Sequence, residues 1–395
     1  MSGERSDAAG GYGRATPIPP GGGREAETPS HAGSNGGANG GVNGGGNGGG
    51  NGGGGGSVSI RDVAARAGVS TATVSRVINK PGTVAPGTLE KVRKVVRELG
   101  YVPNPVAQAL ISRESHVIGL ALPRFHGEFM TWLLHGADEE ANRLGYHLMM
   151  TTIATSDDGH ARRHIVGSNL IDALLVVITE TEDHLAHDVL EAGLPTCVID
   201  TDLSHKGLDS VILDNERGTR EAVEHLLRWV EPQNLYFVGG PKANFDTIER
   251  ARAFAAALRE TGHVPTGEQC LLGEYSIPWG KEWGIRMIGR QVLRSGGPCV
   301  GVLAANDKIA CGIMQAAEDA GIRIPDQLRI VGFNDSQLSR IVRPNLSTVS
   351  LPMKDLGAMA VRILVRRIED RSGEVICTKL ATRLVVRESS TARNF

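Results

Sequence analysis

Apolar residues recur at helical spacing in three short segments near the start of the ordered-looking sequence, and then the rhythm changes. In 60–67, Val63, Ala64 and Ala67 share one face; in 71–79, Val74, Val77 and Ile78 do; in 86–99, Leu89, Val92, Val95, Val96 and Leu99 do. Gly68 suits the left-handed residue that ends the first helix, and Ser70 is a side-chain N-cap for the second. Pro86 fits the first position of the third helix, Gly100 closes it, and Tyr101 is placed to pack beneath. After Pro103-Asn104-Pro105, the stretch 106–111 predicts a helix too short to be stable alone in water. From Val117 onward, short apolar runs at 117–122, 147–151, 173–178, 196–199, 235–238, 300–304 and 329–331 predict strands. They alternate with amphipathic stretches near 130–144, 158–170, 215–228, 246–260, 279–294, 307–320 and 353–369. Such alternation predicts parallel α/β sheets, and the series is long enough for two lobes with a ligand between them at the strands' carboxyl ends.

The first 56 residues carry almost no apolar side chains, and 33–56 is a Gly/Asn tract that cannot offset its ordering entropy. The expected organisation is therefore a disordered tail over 1–56, a helix-turn-helix domain over 57–104, a hinge helix over 105–114 and a ligand-binding body over 115–395. In fold class this is an all-α headpiece joined to a bilobed α/β body with two Rossmann-like lobes.

Charge sharpens the picture. The formal net charge of -2 conceals nine basic residues against three acidic ones between Val58 and Arg113, while the body is net acidic. A basic module on an acidic body directs a polyanion to the module. The polar side of the second helix, with Thr71, Ala72, Thr73, Ser75 and Arg76, offers short hydroxyls for phosphates and one guanidinium long enough for a guanine edge. Two helices joined through Gly68 with that face form a helix-turn-helix able to lie in the major groove of double-stranded DNA.

Other classes receive less support. The five cysteines are scattered without a Cys-x-x-Cys pair, so neither a zinc site, another metal site nor a disulfide framework is expected, and no cofactor. No apolar run is long enough to span a membrane and no basic-then-apolar leader opens the chain, which predicts a soluble cytoplasmic protein with no membrane partner. His160 and His164 flank Ala161-Arg162-Arg163, whose arginines would repel a metal. Gly68 to Ala72 lacks the second Gly of a nucleophile elbow, and Gly239-Gly240-Pro241 reads as a turn. An enzyme is not expected. The alternative from another class is a solute- or sugar-binding protein on the same α/β body, which would carry a signal peptide and lack the headpiece.

The segment from Ser57 to Leu110 closely resembles the headpiece of the LacI/GalR family of bacterial transcription regulators. Val117-Ile118-Gly119-Leu120, Ala304-Ala305-Asn306-Asp307, Ile330-Val331-Gly332-Phe333-Asn334-Asp335 and Val386-Arg387-Glu388-Ser389 stand in that family's order and spacing. The resemblance implies a body like the periplasmic sugar-binding proteins, and a dimeric regulator, most often a repressor, that binds operator DNA under control of a small sugar-like effector. It brings Ser59, Ile60, Ser70, Thr71, Ala72, Thr73, Ser75, Arg76, Asn79 and Thr83 to the operator. It brings Asn104, Val106, Ala107 and Leu110 of the hinge helix there too, with Leu110 as the wedge in the minor groove. Ala85 stands where the family usually has a capping Ser. For the effector it implies Phe129 in the loop after the first strand, together with Asp200, Asp246, Arg250, Tyr275, Asn306 and Asn334, with Tyr275 stacking on the ligand. Asn334 replaces the family's more common Asp, which alters the donor pattern offered to the ligand. Some relatives form tetramers through a leucine-heptad helix after the final strand; the residues after Leu384 have no such repeat, so a homodimer is implied.

Overall fold

Three helices at the expected bounds build the headpiece: α1 Ile60–Ala67, α2 Thr71–Asn79 and α3 Pro86–Leu99. They belong to a computed structural model that describes residues 58–101, 114–123, 128–153, 170–179 and 193–391. Ser59 caps α1 in a reciprocal capping box with Asp62, and Gly68 ends it at φ 62°. Ser70 caps α2 by accepting from the Thr73 N–H, whereas α3 starts from Ala85 with no side-chain cap. The core is small and aliphatic: Val63, Ala64, Ala67, Val74, Val77, Val92 and Val95 are buried, with Ile60, Leu89, Leu99 and Tyr101 packed around them. A core of this size leaves little stability in reserve, so the caps carry a sizeable share.

The body contains two six-stranded sheets. Strands β1 Val117–Pro123, β2 His147–Ile153, β3 Ala173–Val177, β4 Thr196–Ile199 and β5 Asp209–Leu213 form the first, with a late arrival, β11 Cys377–Leu380, in the order β11-β5-β4-β3-β1-β2, all parallel. The second contains β6 Leu235–Gly239, β7 Cys270–Leu272, β8 Val300–Ala304, β9 Leu328–Asn334, β10 Ser347–Ser350 and β12 Arg383–Val385. Its order is β12-β10-β9-β8-β6-β7, parallel except for the β10/β12 pair. Strands β3, β4, β6 and β8 are buried at every position, as strands covered on both faces must be.

Helices α4 Glu128–Arg143, α5 Asn215–Leu227, α6 Phe245–Glu260, α7 Ile277–Gly289, α8 Asp307–Asp319, α9 Gln337–Ile341 and α10 Met353–Glu369 are the remaining α-helices among the described residues. Helix α10 leaves the second lobe and packs on the first, against α4 and strands β3 to β5. The approach is close enough that a Cβ on Gly136 would sit 1.8 Å from the Lys354 carbonyl oxygen, and one on Gly357 2.2 Å from that of Leu133. Beside this contact the buried Glu140 carboxylate accepts from Arg143 and Arg362, which hold its pKa down to about 2.

The chain crosses between lobes at three points: Asp214 between β5 and α5, Leu351-Pro352 between β10 and α10, and Ala381-Thr382 between β11 and β12. Two of the crossings are bonded together, Thr382 Oγ1 donating to the Asp214 carbonyl at 2.8 Å and the Asp214 N–H to that of Leu380 at 2.8 Å.

Four expectations need correction. Strands β5, β7, β10, β11 and β12 were not expected from the apolar runs. Helix α7 ends at Gly289, so the buried Leu293 lies beyond it. Strand β3 ends at Val177 and the buried Ile178 follows it. Phe129 belongs to the first turn of α4 rather than to a loop. The helix expected near 158–170, with His160 and His164, and the hinge helix at 105–114 fall on residues outside those described, or almost entirely so.

Candidate functional site

On α2, Thr71, Ala72, Arg76 and Asn79 are exposed, while Thr73 and Ser75 are half-buried. The hydroxyls are less free than their residue types suggest. Ser70 Oγ shares a 2.9 Å hydrogen bond with Thr73 Oγ1 besides accepting from the Thr73 N–H, and Asn79 Nδ2 donates to Ser75 Oγ at 3.3 Å. Thr83 Oγ1 donates to the Lys80 carbonyl at 2.7 Å and closes the short turn after α2. Ser59 is engaged with Asp62, and Ile60 packs on the small core. Arg76 therefore stands out as the long exposed cation on the helix, surrounded by side chains already set by local bonds. Asn104, Val106, Ala107 and Leu110 lie outside the described residues.

In the body, a cleft of about 820 Å³ opens between the lobes, and Phe129, Asp200, Asp246, Arg250, Tyr275, Asn306 and Asn334 all line it. Asp200 directly follows β4, Asn334 ends β9, and Asn306 caps α8 after β8, so three of the seven stand where strands give out. Asp246 and Arg250 lie one turn apart on α6. Glu128, Trp132, Asn244, Glu274 and Lys308 also line the cleft and were not singled out from the sequence. Trp132 and Glu128 come from α4, whose cleft-facing side becomes apparent only once that helix is docked.

Arg250 is the hub. It is 1% exposed, donates from Nε to Asn215 Oδ1 and from Nη1 to the Ala305 carbonyl, each at 2.8 Å, and lies 4.2 Å from the Phe333 ring centre. Its Nη2 is 2.8 Å from Asp246 Oδ2, an ion pair whose angle leaves the nitrogen without an aligned hydrogen-bond acceptor. Asn215 in turn donates to Asp246 Oδ1 and Glu249 Oε2. Asn215 follows Asp214, so this polar network runs from the cleft to a crossing between the lobes.

Opposite stands Asp200, nine-tenths buried, whose Oδ1 has no hydrogen-bond partner among the described residues. Burial, and then the nearby Asp246 carboxylate, raises its pKa well above the usual range. Its φ of 78° is unfavourable for a residue with a Cβ, as are 107° at Asn334 and 51° at Asp335, so backbone strain gathers around the cleft. Tyr275 does not present its hydroxyl freely: that group shares a 2.7 Å bond with Thr247 Oγ1 and donates to Asn244 Oδ1 at 2.9 Å, leaving the ring as the surface on offer. Asp307 accepts from Thr348 Oγ1 and from the Ser336 N–H and Oγ, yet burial pushes its pKa up to about 7. An unpaired acceptor, a misaligned donor, amide groups and aromatic rings on one cavity suit a hydroxyl-bearing small molecule, since each unmade bond is costly.

Among the described residues no group of three or more His, Cys, Asp or Glu is arranged to hold a metal, and no helix is long and apolar enough to cross a membrane.

Comparison with known proteins places both parts. The family profile described as bacterial regulatory proteins, lacI family, matches residues 59–104, and that of a periplasmic binding protein-like domain matches 214–390. The transcriptional regulator DegA of Bacillus subtilis (strain 168) is 30% identical over 342 residues, covering 85% of this chain and 99% of its own length. A crystal structure of the Lac repressor dimer bound to operator and the anti-inducer ONPF superposes with a TM-score of 0.75 at 26% identity, covering 85% of this chain and all of that one. A complex of the transcriptional regulator CelR with cellobiose gives 0.62 at 26% identity, covering 84% and 100%.

Proposed function

The chain belongs to the LacI family of bacterial regulatory proteins and is a DNA-binding transcriptional regulator, and from that premise we propose that it is a dimeric repressor whose operator affinity is set by a small carbohydrate-like effector. Two headpieces bind adjacent major-groove half-sites of a pseudo-palindrome, and Leu110 of each subunit wedges into the minor groove between them. The proposed division is a tail over 1–56, a DNA-binding domain over 57–104, a hinge helix over 105–114 and an effector-binding and dimerising body over 115–395. The protein works in the cytoplasm and binds its effector without chemical conversion.

The observation that carries the effector reading is the meeting of Asp200, Asp246, Arg250, Asn306 and Asn334 on one interlobe cleft, with a buried acceptor on Asp200 left unpaired. Its network reaches Asn215 beside a lobe crossing, so a ligand that draws the lobes together acts on the segments that join them. The dimer and sugar elements draw support from the operator-bound Lac repressor dimer and the cellobiose complex of CelR.

The test selects DNA from a random pool with the full chain, then measures affinity for the selected site with and without uncharged sugars. A palindromic consensus bound by two chains, with affinity changed by a sugar, is expected. An asymmetric site bound by one chain, or sugar binding that never alters DNA affinity, contradicts the proposal.

A further inference from the structure

The charge of the cleft narrows the ligand class. Among the described residues seven carboxylates line it, including Glu128, Asp200, Asp246 and Glu274, against three cations. Two of those cations are already engaged: Arg250 by Asp246, and Lys354 by Glu139 at 2.8 Å. Lys308 remains, exposed in the first turn of α8 next to the buried carboxylate of Asp307. Among the carboxylates Asp335 is engaged by Arg340 and Arg387, which leaves Glu128, Glu274 and Asp355 to keep the lining acidic.

Helix N-termini are the other usual seats for an anion; α10 starts at the cleft from Pro352 without a side-chain cap but with Asp355 in its first turn, and at three others the chain fills the seat itself. Asn244 caps α6, Ser276 caps α7 and Asn306 caps α8, each accepting from the N–H three residues on, while Asp246 and Asp307 occupy the first turns of α6 and α8.

Asp200 gives a further reading of the local field. It is buried on the cleft with an unpaired oxygen, and its ionisation is resisted by burial and by Asp246 even with Arg250 nearby. A phosphate brought to the same place meets the same opposition. A hydroxyl does not: it carries no charge and can donate to Asp200 Oδ1, a buried acceptor on the cleft left without a partner among the described residues.

We propose that the cleft takes an unphosphorylated sugar or polyol and turns away the corresponding phosphate esters, an inference that rests on the carbohydrate reading above.

Calorimetric titration of the full chain with matched probes tests it: glucose against glucose 6-phosphate, fructose against fructose 1,6-bisphosphate, sucrose against sucrose 6-phosphate, and trehalose against trehalose 6-phosphate. At least one uncharged probe should bind, with its ester weaker by roughly tenfold or more. In a folded Asp246→Asn protein, where the Arg250 charge is released, that gap should narrow several-fold. An ester that binds as tightly as its parent overturns the proposal and leaves the carbohydrate reading standing, and a gap unchanged in Asp246→Asn overturns it as well. Silence from every probe in both series retires the carbohydrate reading and this inference with it.

Discussion

The Gln337 N–H donates to Glu128 Oε2 at 2.9 Å and joins α9 of one lobe to α4 of the other beside the cleft. Two further bonds cross deeper in, from the Phe245 N–H and from Asn244 Nδ2 to the Thr179 carbonyl, each at 3.0 Å. The lobes are thus fastened near solvent by the Glu128 side chain and, where partly buried, by the Thr179 carbonyl oxygen. The contact near solvent is the one that a side-chain substitution can remove without disturbing either core.

Glu128→Ala should therefore favour the open arrangement. The bond lies near solvent, so its loss should weaken effector binding by no more than about 1 kcal/mol. Small-angle scattering with calorimetry checks this: the expected result is a larger radius of gyration before ligand and a slightly higher Kd. An unchanged radius with unchanged affinity would show that the contact does not hold the lobes.

Replacing the hub should be far more costly. Arg250→Met leaves Asp246 as a buried carboxylate without its cation and Asn215 without its donor, a loss of about 3–5 kcal/mol. The double variant Arg250→Met/Asp246→Asn should regain part of it, because the stranded charge is gone. Urea denaturation of the two proteins measures the difference. Equal stability of single and double variants would mean that the pair is not coupled. Operator-selective DNA binding by the headpiece should survive in both.

Asp307 provides a pH signature. Its folded pKa of about 7 lies well above the ordinary carboxylate range, so the folded protein holds the proton more tightly than the unfolded chain. Its contribution to stability is full below the unfolded pKa and is lost as pH rises through about 7. Asp307→Asn cannot ionise, and Thr348 Oγ1 can reverse its role to accept from the new amide. Melting temperature measured from pH 5 to 8 should therefore fall less steeply for Asp307→Asn than for the parent. Parallel curves would refute the assignment.

The headpiece yields a pair of opposite effects. Ser70→Ala removes the cap of α2 and a partner of Thr73 together, and should destabilise the headpiece by about 0.5–2 kcal/mol. Ala85→Ser installs a cap where α3 has none and should stabilise it by a comparable amount. Thermal melts resolve the two; a neutral Ala85→Ser would show that the Pro86 turn cannot use a cap.

Much of this architecture could be read from the chain. All three headpiece helices follow from local signals, because Gly68, Ser70, Pro86 and Gly100 act within one turn of their own positions. The strands β3, β4 and β8 were legible as continuous apolar runs for the same reason that they are central. Strand β5 was not, since it opens with Asp209, a carboxylate that is buried only because Arg367 of α10 reaches it at 2.7 Å. Strand β10, Ser347-Thr348-Val349-Ser350, is polar by composition, and its first three positions are buried because its hydroxyls are bonded inside the lobe, Thr348 Oγ1 to Asp307 and Ser347 Oγ to the Arg387 carbonyl. Strands β11 and β12 owe their places to a chain that leaves one lobe for the other and returns. For the cleft, the family resemblance supplied residues at strand ends, whereas Trp132 and Asn244 depend on which face of α4 or which turn the folded lobes present.

Arg76 bears directly on the central claim. Its substitution by Ala should cost about 1–3 kcal/mol at the operator and relax preference at one half-site position. The decisive measurement is fluorescence anisotropy of the selected operator, titrated with parent, Arg76→Ala and Asn306→Ala proteins, each with and without a sugar that binds the parent. The account predicts that Arg76→Ala loses operator affinity and selectivity but still binds the sugar, while Asn306→Ala binds the operator normally and no longer responds to sugar. Contradiction would be the reverse pattern: normal operator selection by Arg76→Ala, or a full sugar response from Asn306→Ala.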